Sequence, residues 1–162
     1  MKQIKQILLR VQEQLSTIAE LNYIDRDWGQ FTYETPPVKF PCAIVDASNG
    51  YYSHLSGGGQ LAEVEISVTI ATQRLTASSV AATTTEESFA IIDLMERVHT
   101  TLQHYHTDDF APLTRTGFRK LTSGSSYEVY TMTYATHYKV PRVKAETLHE
   151  IMGMKVKIVD KV

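Results

Sequence analysis

The sequence predicts an α+β domain: a mainly antiparallel sheet of four or slightly more strands packed by two helices, in the order α-β-β-α-β-β. Three observations carry that expectation. Apolar residues recur at steps of three and four in two stretches, residues 3–20 and 85–105, as the buried stripe of a helix does. Four further stretches read as strands, and turn-rich links join the first to the second and the third to the fourth. At 162 residues the chain has the size of a single domain, large enough to hold one core without disulfides or metal. Residues 1–140 are expected to form that domain, with 141–162 as a C-terminal extension.

The first helix rests on Ile4, Ile7, Leu8, Val11, Leu15 and Ile18, with Lys5, Gln6, Arg10, Gln12, Glu13 and Gln14 on the other side. Asp25 to Gln30 then reads as a turn, and Pro36, Pro37 and Pro41 exclude helix across the segment that follows. Residues 40–47 form a short apolar, β-branched run suited to a buried strand. Asn49-Gly50 and the Ser56-Gly57-Gly58-Gly59 run bracket the link to the next strand, where positive φ values are needed. From Ala62 to Thr72 the alternation is regular: Ala62, Val64, Ile66, Val68 and Ile70 face one way, and Glu63, Glu65, Ser67 and Thr69 the other. Residues 73–85 are small and polar and predict a mobile loop. Thr84 and Glu87 fit a capping box ahead of the second helix, whose stripe reads Phe89, Ile92, Met95, Val98, Leu102 and Tyr105. Strands follow at 113–121 and 127–140, linked by residues 122–126 as a hairpin. In the last strand Tyr130, Met132, Tyr134, Thr136 and Tyr138 share a face, and both faces carry enough apolar groups to predict a central strand or one that meets a partner. Beyond Pro141 the cations Arg142, Lys144, Lys155, Lys157 and Lys161 mark an appendage rather than core.

Composition narrows the function classes. Sixteen Lys and Arg against eighteen Asp and Glu leave a formal charge of -2, so no global field favours a polyanion. The single Cys42 has no internal partner and suits a reducing compartment. The amino terminus interrupts its apolar run with Gln, Lys and Arg, unlike a signal peptide, and no stretch approaches the roughly 20 apolar residues of a membrane span, so the protein is expected to be soluble and cytoplasmic.

No residue set reads as a catalytic, cofactor-binding or metal site. His99, His104 and His106 with Asp108 and Asp109 are the most chemical-looking cluster, but helical residues five apart diverge by about 140°, so His99 and His104 do not share a face. Cys42 sits in an apolar strand where a thiolate is disfavoured. The Gly57-Gly58-Gly59 run leads into a strand, whereas a phosphate cradle leads into a helix. Ser125 and Ser126 lack a nucleophile-elbow frame, and Glu63 with Glu65 reads as a pair of solvated acids. Trp28 and the stripe Tyr130, Tyr134, Tyr138 lack the flanking cations of an RNA-binding sheet, since Lys39, Lys120 and Lys139 are scattered, and instead suit core or subunit-interface packing. The residues expected at a partner interface are Arg74, Leu75, Val80, Tyr130, Tyr134, Tyr138, Arg142 and Lys144.

The element order, Trp28-Gly29-Gln30, the Pro36-Pro37-Val38-Lys39-Phe40-Pro41 run and the strand ending Ile66-Ser67-Val68-Thr69-Ile70-Ala71 together resemble the tail terminators and tail-completion proteins of tailed bacteriophages, prophage copies included. The resemblance covers residues 1–140. It implies a non-enzymatic virion protein without cofactor that assembles as a ring, often a hexamer, on the end of the tail tube. There it stops polymerisation and offers a surface to the head-tail connector. Its partners would be further copies of itself, the tail tube protein and the connector, with no nucleic-acid sequence recognition and no membrane. It would assemble in the bacterial cytoplasm and end in the tail-neck region. A head-completion or neck adaptor of the same virion is the alternative, and a small hydrolase or nuclease a more distant one.

Overall fold

A computed structural model of the chain describes residues 2–73, 88–121 and 126–142. The expected loop at 73–85 apart from Gln73, the Thr84/Glu87 capping box, most of the 122–126 link and the appendage from residue 143 on lie outside the described residues.

Helix α1 spans Lys2–Leu15 and buries Ile7, Val11 and Leu15. It ends five residues earlier than its periodicity predicts, because the Ser16 and Thr17 hydroxyls donate to the carbonyls of Glu13 and Gln14 and close the last turn. Ile18 nevertheless stays in the core, held by a turn whose N–H donates to Leu15. The strands are β1 Tyr23–Arg26, β2 Cys42–His54, β3 Gln60–Gln73, β4 Thr114–Leu121 and β5 Tyr127–Val140, and helix α2, Ala90–Leu102, lies between β3 and β4.

The fold is α+β, but the sheet corrects the expectation of an antiparallel four-stranded one in the order α-β-β-α-β-β. It has five strands in the order β1-β2-β3-β5-β4, and it is mixed, because β1 pairs parallel with β2 while every other pair is antiparallel. The additional strand lies where the sequence reads partly as a turn. Tyr-Ile-Asp-Arg is too short and too polar to show alternation; it is held as a strand by its pairing to Cys42–Val45 and by contact with α1. Parallel neighbours need a long crossover, usually helical. Here residues 27–41 make it with only a single 3-10 turn, Gln30–Thr32.

That crossover and the helices cover opposite faces of the sheet. Against α1 and α2 lie Ala43, Val45, Ala62, Val64, Ile66, Val68, Ile70, Met132, Tyr134 and Tyr138, which form the main core. On the other face Phe31, Val38 and Phe40 of the crossover pack over Cys42, Ala71 and Val129, capping one end only. Phe40 and Phe31 stack on Tyr127 at 5.7 and 6.0 Å. The middle of this face is polar, with the Thr69 and Thr131 hydroxyls bonded across the strands at 2.9 Å.

Two further readings change. Asn49-Gly50 is not a turn but lies inside β2, where Ser48 is an extra residue at a bulge and donates to the Glu65 carboxylate at 2.9 Å. The chain reverses only at residues 55–59, where Gly57 and Gly58 take φ of 88° and 83°. The buried face of α2 consists of Ile91, Leu94, Met95, Val98 and Leu102, so Phe89 and Ile92 from the expected stripe are exposed. No helix among the described residues is long and apolar enough to cross a membrane.

Candidate interaction surfaces

The loop after β1 is built around a fully buried glutamine. Asp27 turns the chain by accepting the Gly29 N–H at 2.8 Å, and Gly29 takes φ 94°, a conformation that an L side chain resists. Gln30, with no exposed surface, then inserts its amide: Oε1 accepts the Trp28 N–H at 3.0 Å and Nε2 donates to the Arg26 carbonyl at 2.7 Å. Two part-buried main-chain groups are thus satisfied by one side chain. The result is a rigid loop that holds Trp28 outward, half exposed and edge-on to the exposed Tyr33 at 6.0 Å.

Asp25 fixes the indole. Its carboxylate accepts the Tyr23 hydroxyl at 2.7 Å, the Trp28 Nε1–H at 3.1 Å and the Arg26 N–H at 2.7 Å. Burial pushes the Asp25 carboxyl up, but the Tyr23, Arg26 and Trp28 donors outweigh it and hold the group below the usual carboxylate range. The same bond raises the Tyr23 phenol.

At the opposite end of the sheet, residues 114–120 of β4 are all exposed. Phe118 is 65% exposed, and the strand bulges between Arg115 and Gly117. Arg115 reaches toward Glu96 at 4.0 Å, and Lys120 is held by Glu128 at 2.6 Å and lies over the Tyr130 ring. The Arg119 side chain has no hydrogen bond or ion pair among the described residues. Charged side chains, a bulge and little apolar alternation mark an edge strand guarded against indiscriminate pairing.

Between these edges the polar face carries a groove of about 540 Å³, with Tyr51, Glu63, Glu65, Thr114 and His137 among its lining residues. Glu63 and His137 are cross-strand partners, yet no hydrogen bond or ion pair joins them. Two carboxylates beside an exposed tyrosine suit a cationic side chain better than proton transfer, which needs a base oriented by a neighbour.

Tyr134 is fully buried and Tyr138 nearly so, in the chain's own core; of the two roles the tyrosine stripe suggests, core packing is the one they occupy. Burial pushes the Tyr134 phenol up to about 12. The Tyr138 hydroxyl meets that of Tyr52 at 3.2 Å. Tyr130 is part-buried beneath Lys120. Arg142 is exposed and lies across Gly58 at the hairpin turn, where a β-carbon would come within 3.0 Å of its Cδ. Arg74, Leu75, Val80 and Lys144 lie outside the described residues. His99 ends in the helix-sheet layer against Tyr134, its Nδ1 buried without a partner; burial lowers its basicity, and Arg115 lowers it further. His104 lies past the helix end at φ 62°. Among the described residues no three His, Cys, Asp or Glu side chains gather closely enough to hold a metal ion. Burial pushes the Cys42 thiol up to about 12, which suits a small core residue rather than a nucleophile.

Sequence reasoning missed Gln30, Phe118 and Arg119. The strand Thr114–Leu121 carried a readable signal, three cations and no sustained alternation, which is the composition of an edge. Gln30 carried none, since a polar residue in a turn gives no sign that it is buried. No protein-family model matches the chain, and no curated protein is significantly similar to it.

Proposed function

We propose that the chain is a non-enzymatic structural subunit of a tailed bacteriophage or prophage, which assembles as a ring on the end of the tail tube, ends tail polymerisation and offers a surface to the head connector. One observation supports the reading above the others: among the described residues the sheet is open, with β1 and β4 as its edges on opposite sides. A subunit that joins through two different surfaces makes heterologous contacts, which close into rings when the rotation between copies allows it. The segments that carry the resemblance agree with such a role. Trp28 is an exposed aromatic on a rigid loop, the proline run crosses one sheet face, and Ile66–Ala71 is the middle of the central strand.

In this account the partners are other copies, the tube protein and the connector, and no cofactor is needed. Residues 73–85 contact the tube or line the lumen, and the segment beyond Pro141 reaches a neighbouring copy. Removing residues 142–162 is therefore expected to weaken self-association, measured by sedimentation velocity; an unchanged oligomer would eliminate the arm.

The function itself is tested by immunogold labelling of virions, free tails and free heads with an antibody to this chain. Label at one end of free tails is the expected result. Label on tail-less heads would assign the chain to the neck adaptor class, and label on neither would remove it from the particle.

A further inference from the structure

We infer that the β4 edge of one copy, with Phe118 and Arg119, seats against the Trp28–Glu34 segment of a second copy, the start of the crossover that follows β1. The inference rests on the ring reading and names the surfaces that would build it.

Charge argues for the occupant. Residues 23–34 hold the acids Asp25, Asp27 and Glu34 against the single base Arg26, a net of -2. Residues 114–121 hold Arg115, Arg119 and Lys120 and no acid, a net of +3. Internal bonds leave specific groups free to act. Asp25 is engaged by three donors and Lys120 by Glu128, whereas the Glu34 and Arg119 side chains are exposed and have no hydrogen bond or ion pair among the described residues. Pairing two β4 edges would set three cations against three, which is unfavourable in a directly opposed strand pair, and bringing two Trp28–Glu34 segments together would set acid against acid. Pairing the unlike surfaces opposes complementary charge and so selects a head-to-tail arrangement.

The apolar groups fit the same arrangement. Each of the two surfaces exposes aromatic groups that its own fold leaves unused: Trp28 and Tyr33, 50% and 55% exposed, on one side, and Phe118, 65% exposed, on the other. An aromatic anchor at the centre of a charged rim is the usual anatomy of a specific interface. On the β1 side the rigidity supplied by Gln30 lowers the ordering cost of docking.

Two single-site variants, Phe118→Cys and Tyr33→Cys, test the contact with a short bis-maleimide crosslinker; both positions are well exposed, and the native Cys42 is fully buried. Mixed together, the two variants are expected to give a covalent dimer that neither gives alone. Arg119→Glu and Glu34→Lys are each expected to weaken association by roughly tenfold or more, and the two changes combined in one chain to restore it, because every interface then carries both. A dimer of Phe118→Cys with itself, or no restoration in the double variant, would overturn the inference. A closed ring without the mixed crosslink would also overturn it while leaving the ring reading intact. Open filaments with the crosslink would support the contact and remove the ring, and a monomer without crosslink would remove both.

Discussion

Asp25 and Trp28 form a built-in reporter, because Trp28 is the only tryptophan in the chain and its indole N–H ends on the Asp25 carboxylate. The native Asp25 carboxyl is held below its ordinary value by the Tyr23, Arg26 and Trp28 donors in spite of burial. The stability it contributes is thus complete above the unfolded carboxyl pKa of about 3.9 and lost as pH falls through the lower native value. Trp28 fluorescence is expected to change with a midpoint below about 3.9, and Asp25→Asn to abolish that transition. A midpoint unchanged in the variant would show that another group is being read. Gln30 is the second residue on which this surface depends. Gln30→Ala leaves the Trp28 N–H and the Arg26 carbonyl without their partner and is expected to cost about 1–3 kcal/mol in urea unfolding, with a fall in Trp28 fluorescence anisotropy as the loop loosens. Neither role was legible in the sequence, where Trp28-Gly29-Gln30 is a string without visible chemistry.

Among the elements, α2 was read correctly in period, and Met95, Val98 and Leu102 of the expected stripe are buried, but its first turns were read a step out of phase. Phe89 and Ile92 lead into Met95 at steps of three, but Ile91, Leu94, Val98 and Leu102 recur at steps of three and four with Met95 beside them, and this second set covers the sheet. Its stripe is the one that stays on one side of a 3.6-residue turn as far as Leu102. Leu94→Ala is expected to cost about 2–5 kcal/mol, whereas Ile92→Ala, at a position 43% exposed, should stay within roughly 0.5 kcal/mol; chemical denaturation of the two variants measures the difference. Comparable costs would return the buried face to the Phe89–Ile92 side. The long strands were legible because Gln60–Gln73 and Tyr127–Val140 carry many alternating residues. The short strand Tyr23–Arg26 was not, because what makes it a strand is its neighbour Cys42–Val45, distant in the chain.

At the scale of the molecule, the α+β composition and the interior place of β5, paired on both sides, followed from periodicity and turn chemistry. The strand order and the mixed pairing did not, since they depend on the crossover of residues 27–41 passing over the face opposite the helices. The consequence for function, among the described residues, is a sheet with unlike edges: β1, followed by an acidic, aromatic crossover segment, and the basic β4 with its exposed Phe118. Such unlike edges suit the proposed head-to-tail assembly, which closes into a ring when the rotation between copies allows it. Native mass spectrometry of the purified protein over a concentration series tests it most directly. The proposed ring is expected to give one discrete multimer near six subunits, unchanged on dilution across the series and free of larger species. A monomer throughout, or an open ladder of masses growing with concentration, would contradict it.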